Sequence, residues 1–249
     1  PVFVDSEMET WNIDPVLLEV AIVDRIKVTG RRPKAIIPVH LYGMPAKMEE
    51  IMEVAGRFGI PVLEDADEAI CSKYRGRVSG QIGEFDCLSF AGIGRGQMLV
   101  LEKHIAARRA LNTRYLELLW GVPGISFLTN PSGDFESNMW LTCIIIDPAV
   151  AGFNREDLRL GMEAANIETR PLWKPMHMQP VYADAPRYLN EMNRRENCRE
   201  NRGSAPLPES DNSVCGQLFE NGLCLPSHPG LKDAEMDRVV AVIKNLSKN

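Results

Sequence analysis

The chain has no cysteine pair at CxxC spacing, no apolar run long enough to span a bilayer, no basic block beyond the short stretch 194–202, and no lysine between Lys73 and Lys103. Each absence excludes something. Four histidines and six cysteines without ligand spacing do not predict a metal site. Cys87 and Cys143 sit in apolar runs, where a thiol behaves as a small hydrophobe, so the cysteines read as reduced and the protein as cytoplasmic. With no spanning run and no signal peptide, no membrane association is expected. The net charge of −6 arises from mixed acidic and basic residues, which argues against a nucleic-acid surface; the one basic run reads as a solvated loop. An initiator methionine is also lacking: Pro1-Val2-Phe3-Val4-Asp5 already reads as a strand and its turn, so the start of the protein is expected to lie outside these residues.

What is present is a series of apolar strands separated by helices. "PVFVD" is extended. "DPVLLEVAI" places Asp14 as N-cap and Pro15 at the first helical position. "KAIIPVHLYG" is an apolar run, and "AKMEEIMEVAGRFG" has a helical period that stops at Gly59, a natural left-handed cap. "IPVLEDADEAI" and "EFDCLSF" complete the pattern of a parallel α/β sheet covered on both faces. Ligands of such sheets gather at the carboxyl ends of the strands, which singles out His40, Tyr42, Glu64, Asp65, Glu68 and Ser89. Residues 92–119 read as one long helix. After it come a strand in "MWLTCIIID", a helix capped by Asn154, and a closing helix in "DAEMDRVVAVIKNLSK". The expected division is therefore 1–119, a partial large domain with an interdomain helix, and 120–249, a smaller α+β domain. The polar stretch between Tyr188 and Cys215, residues 190–213, reads as a mobile surface loop or insertion.

Asp65 comes directly after Val62-Leu63-Glu64, so a carboxylate stands at a strand's end and calls for a cationic partner, such as a protonated pyridinium nitrogen. The same "EDADEA" could equally be an acidic cluster that opens a helix. Neighbouring motifs add specificity. "PVHLYGMPAKMEEI", "GIPVLEDADEAICSKYRGR", "GEFDCLSF" and "RPLWKPMHMQPVY", in this order, with "LFENGLCLPS" near the C-terminus, resemble the DegT/StrS family of pyridoxal-phosphate-dependent sugar aminotransferases over nearly the whole chain.

The resemblance implies a fold-type I α/β fold, with a large domain built on a mainly parallel sheet and a smaller C-terminal domain, in a homodimer. It implies pyridoxal 5′-phosphate as cofactor, with Asp65 on the pyridinium nitrogen, Glu68 beside the ring near its phenolic oxygen and Ser89 on the phosphate. His177, Trp173 and Lys174, in "RPLWKPMHMQP", would contact the substrate sugar, although a histidine beside Met and Trp could as well be packing. The implied reaction is amino transfer, with glutamate as donor, to a nucleotide-linked keto-deoxy-sugar. The form of that motif leans toward C4 of a UDP-linked 4-keto-6-deoxy-N-acetylhexosamine, a precursor of surface polysaccharide or glycan.

One element of the family pattern is missing. The Schiff-base lysine should come five residues after Ser89, where this sequence has Gly94, and no other residue replaces it. The run from Ala91 onward resembles the family's interdomain helix, which normally lies well beyond the lysine. The expected break is therefore between Phe90 and Ala91, with roughly fifty to sixty residues of the family layout absent there. A strand ending at Phe90 also cannot enter a packed helix at Ala91 without a few connecting residues. Two alternatives to a complete aminotransferase arise: an inactive homologue acting as sensor or subunit partner, and a related cofactor reaction, such as sugar dehydration, in which histidine stands for the lysine. Position 94 offers no such histidine.

Overall fold

The computed structural model describes residues 1–88, 99–190, 199–201 and 211–247, of which 199–201 are described as backbone only. They fall into two compact units that are interleaved along the chain. The first lies within Pro1–Ser89, Asn130–Ser137 and Lys174–Gln217, the second within Phe90–Thr129, Asn138–Trp173 and Leu218–Asn249. Two consecutive blocks meeting at residue 119 are not what the contacts give, because the chain enters each unit three times.

In the first unit, strand β1 (Phe3–Val4) precedes helix α1 (Pro15–Thr29). Asp14 caps α1 by accepting from the Val16 and Leu17 N–H groups, Pro15 fills the first turn where no donor is needed, and Gly30 closes it in the left-handed region at φ 68°. Helix α2 (Met48–Phe58) ends at Gly59, φ 60°, as its sequence predicts. Strands β2 (Leu63–Asp65) and β3 (Phe85–Cys87) run parallel, with Leu63 opposite Phe85 and Asp65 opposite Cys87. The extended run 36–39 lies on the other side of β2, bridged in parallel at Ile36–Val62 and Val39–Asp65. One face of the 36–39 run and β2 is closed, with Ile36, Val62, Glu64 and Ala66 all buried, while Asp86 on the same side of β3 is exposed. The other is open, with Ile37 and Phe85 exposed by 59% and 61%, so the expectation of a sheet covered on both faces fails on this side.

Just before the polar stretch the chain forms a strand. Arg187–Leu189 pairs in parallel with β1 and antiparallel with Arg199–Asn201. Tyr188 is buried against Leu17 and Ala21 of α1, and this apolar anchor outweighs the polar sequence around it. Residues 191–198 and 202–210 of the polar stretch lie outside the described residues.

In the second unit, helix α3 (Leu101–Leu118) begins at Leu101; of the long helix expected from residue 92, the part before 99 lies outside the described residues and 99–100 form a turn. An antiparallel sheet joins β4 (Ile125–Phe127), β5 (Thr142–Ile146) and, farther along the chain, β6 (Arg170–Pro171) and β7 (Gly222–Leu225), in the order β4-β5-β7-β6. Helices α4 (Arg155–Ala164) and α5 (Asp233–Leu246) pack on it through Leu158, Met162, Met236, Val239 and Ile243, around Ile144, Ile146 and Leu223. Asn154 caps α4 in a reciprocal box with Asp157. No helix among the described residues is long and apolar enough to cross a membrane.

Candidate functional site

The carboxyl ends of the 36–39 run and of β2 bring five of the polar residues singled out by sequence to one place. Successive side chains of a strand point to opposite faces, so Glu64 and Asp65, adjacent in sequence, meet opposite environments. Glu64 is completely buried. Its carboxylate accepts from His40 Nε2 at 3.0 Å, Gly80 N–H at 2.7 Å, and the Ile82 and Gly83 N–H groups at 2.5 Å each. Burial works to raise its pKa, but His40 and these three backbone donors hold it below the ordinary carboxylate value. His40 Nδ1 accepts the Ala46 N–H at 2.9 Å, so the ring proton sits on Nε2, facing Glu64. Two glycines make this nest possible. Gly80 has φ +84°, and a Cβ on Gly83 would stand 2.8 Å from the Val62 carbonyl oxygen.

Asp65 lies on the other side of the strand, half-buried, on the open face. Its carboxylate accepts one long hydrogen bond, from Asp67 N–H at 3.4 Å. No helix starts after it: residues 67–71 form turns, which removes the reading of "EDADEA" as a helix opening. Among the described residues Asp65 thus has no strong hydrogen-bond partner, beside a neighbour that has four. Glu68, in the same turn, accepts the Tyr42 N–H at 2.6 Å and so holds Tyr42 in the left-handed region, φ 59°, where the chain turns at the end of the 36–39 run. Ser89 lies outside the described residues.

The three residues of the "LWKPMH" motif divide differently. Trp173, in the second unit, is 41% exposed, with its ring centroid 6.3 Å from that of Trp140. Lys174 is exposed. His177 faces inward: it is 3% exposed, with Nε2 at 2.5 Å from Asp211 Oδ2 and Nδ1 at 3.9 Å from Cys215 Sγ. Burial pushes the Asp211 carboxyl up, but His177 and the hydroxyl and N–H of Ser213 overcome it and bring its pKa to about 2. Burial also raises the Cys215 thiol, which stays protonated and inert. With both ring nitrogens facing the chain's own groups, His177 is a buried clamp and presents neither nitrogen outward.

The Glu64–His40–glycine nest is what sequence reasoning missed. The only signal for it was a second carboxylate next to Asp65 and the glycines of "SGQIGEFD", none of which names a partner. Among the described residues no cluster of three or more His, Cys, Asp or Glu side chains could hold a metal ion.

A carboxylate at a strand's end with one long hydrogen bond among the described residues suits a positively charged ring. Comparison with known proteins identifies the family. The chain matches the DegT/DnrJ/EryC1/StrS aminotransferase family over residues 1–93 and again over 91–244. It is 31% identical to EpsN of Bacillus subtilis, which carries the name of a pyridoxal phosphate-dependent aminotransferase, over 99% of this chain and 71% of the relative. That alignment runs over 300 positions, of which this chain supplies at most 249. It is 26% identical to a GDP-perosamine synthase of Caulobacter vibrioides, over 98% of this chain and 72% of the relative. A DegT DnrJ EryC1 StrS aminotransferase from Brucella abortus has the same fold, with a TM-score of 0.79 at 23% identity, covering all of this chain and 74% of that one.

Proposed function

The chain belongs to the DegT/DnrJ/EryC1/StrS aminotransferase family, whose members depend on pyridoxal 5′-phosphate, and we propose that it carries the ring-binding half of a nucleotide-sugar aminotransferase site. The observation that carries this reading is the contrast between Glu64, saturated with donors, and Asp65, left on the open face with one long hydrogen bond.

In this reading the cofactor supplies a pyridinium ring able to accept the electron pair released at the substrate carbon. Asp65 would hold the ring nitrogen protonated, Glu68, whose bond to the Tyr42 N–H fixes the turn, would stand beside the ring, and Ser89 would take the phosphate. Trp173 and Lys174, both exposed, are the candidates to touch the sugar. His177 takes part by positioning, since it fixes the segment that bears them. The substrate proposed is a UDP-linked 4-keto-6-deoxy-N-acetylhexosamine, aminated at C4 with glutamate as donor, for surface polysaccharide or glycan, by a homodimer in the cytoplasm.

A second reading has one observation of its own. No lysine occurs between Lys73 and Lys103, so a chain of only these residues is an inactive homologue, a sensor or a subunit partner. Intact mass spectrometry, with borohydride reduction after addition of pyridoxal phosphate, separates the two. A mass well above 27.9 kDa with cofactor fixed covalently supports the aminotransferase; a mass of 27.9 kDa with none fixed supports the inactive homologue.

A further inference from the structure

Three parallel strands stand in register in the first unit, and their rows identify one face residue by residue. Ile37, Leu63 and Phe85 form one row; Val39, Asp65 and Cys87 form the next on the same side. On the opposite side Ile36 and Val62 are 4% and 0% exposed, with Asp86 of β3 exposed at the edge, whereas on this side Ile37 and Phe85 are more than half exposed and Cys87 is exposed. A parallel sheet normally has both faces covered, and among the described residues this apolar face has no occupant.

The comparisons indicate which occupant. The two stretches that match the family meet at residues 91–93, a few residues past the end of β3, and the alignment with the Bacillus subtilis relative needs more positions than this chain has. A segment leaving the sequence there starts from the strand that borders the open face. A second copy of the chain fits less well: two such faces pressed together would desolvate Asp65 of both copies without a cation between them.

We propose that the face formed by Ile37, Val39, Leu63, Phe85 and Cys87 is the seat of the segment that the relatives carry at this junction, and that the chain binds that segment in trans. When seated, the segment also walls in Asp65, which stands in the same row as Cys87. The proposal rests on family membership and on this geometry, not on the amino-transfer reading, and its test needs no cofactor.

Cys87 is the reporter. In the 249-residue protein, maleimide labelling is monitored thiol by thiol, with and without a synthetic peptide copying the residues that the Bacillus subtilis relative carries between the two matched stretches. Cys87 is expected to label much faster than the buried Cys143 and Cys224. With the peptide at about ten times its dissociation constant, mass action leaves about one face in ten open, so the Cys87 rate falls about tenfold. Phe85→Lys, a change at an exposed position, is expected to abolish that protection and leave Cys87 fast. The proposal is overturned if Cys87 labels as slowly as the buried thiols, if saturating peptide leaves its rate unchanged, or if raising the protein concentration alone protects it, which would make a second copy the occupant.

Discussion

Glu64 and Asp65 are neighbours of the same charge with opposite surroundings, and substitution should separate them. Glu64→Gln replaces an acceptor of four donors by an amide that must point a donor at some of them. It is expected to cost about 2–4 kcal/mol in urea unfolding. Asp65→Ala gives up one long hydrogen bond and should stay within about 0.5 kcal/mol of the parent, while pyridoxal phosphate binding, read by absorbance titration, weakens by about tenfold or more. Equal losses of stability in the two variants would count against the division of roles. Acid adds a second observable. Asp211 titrates at about 2 in the folded chain against an ordinary value near 3.9, and Glu64 is shifted in the same direction. The unfolded chain therefore binds more protons in between, so the stabilisation is present above about pH 4 and lost as pH falls toward about 2. Urea midpoints from about pH 5 down to about pH 2 should show this fall, and Asp211→Asn should start lower and fall less.

At the scale of the element, the caps read from sequence are the ones that form. Asp14-Pro15 starts α1, Gly59 ends α2 and Asn154 starts α4. Each is a local device, complete within four residues, so no distant partner can overrule it. Asn154→Ala removes the acceptor for the Glu156 and Asp157 N–H groups and should cost about 1 kcal/mol by urea denaturation. The strand at Arg187–Leu189 is the element that the sequence hides, because it is only three residues long and its reason to be a strand is Phe3–Val4, far away in the chain. His177 is ambiguous in sequence for the same reason: its partners Asp211 and Cys215 are 34 and 38 residues on.

For the whole molecule, charge and interleaving set the behaviour. With a net charge of −6 and a sequence pI near 5.4, solubility should pass through its minimum near pH 5.4, where self-repulsion vanishes and the open face of β2 and β3 is least opposed. Light scattering on either side of that pH reads this directly. The boundary expected at residue 119 rested on a change of sequence character, but a compact unit is defined by who packs on whom. Residues 130–137 and 174–217 return to the first unit after the chain has entered the second.

By itself the sequence determined the family, the alternation of strands and helices, the helix caps, a carboxylate at the end of β2 in Asp65, and the interruption of the family pattern after Phe90. All of these are carried by residue types at short spacing. Only the tertiary structure decided that Glu64 and not Asp65 is the carboxylate bound in the core, that His177 is a clamp, and that one face of the parallel sheet stands open. Burial and hydrogen-bond saturation depend on partners brought together from distant parts of the chain, and no local pattern of residues encodes which donors arrive or which neighbour fails to.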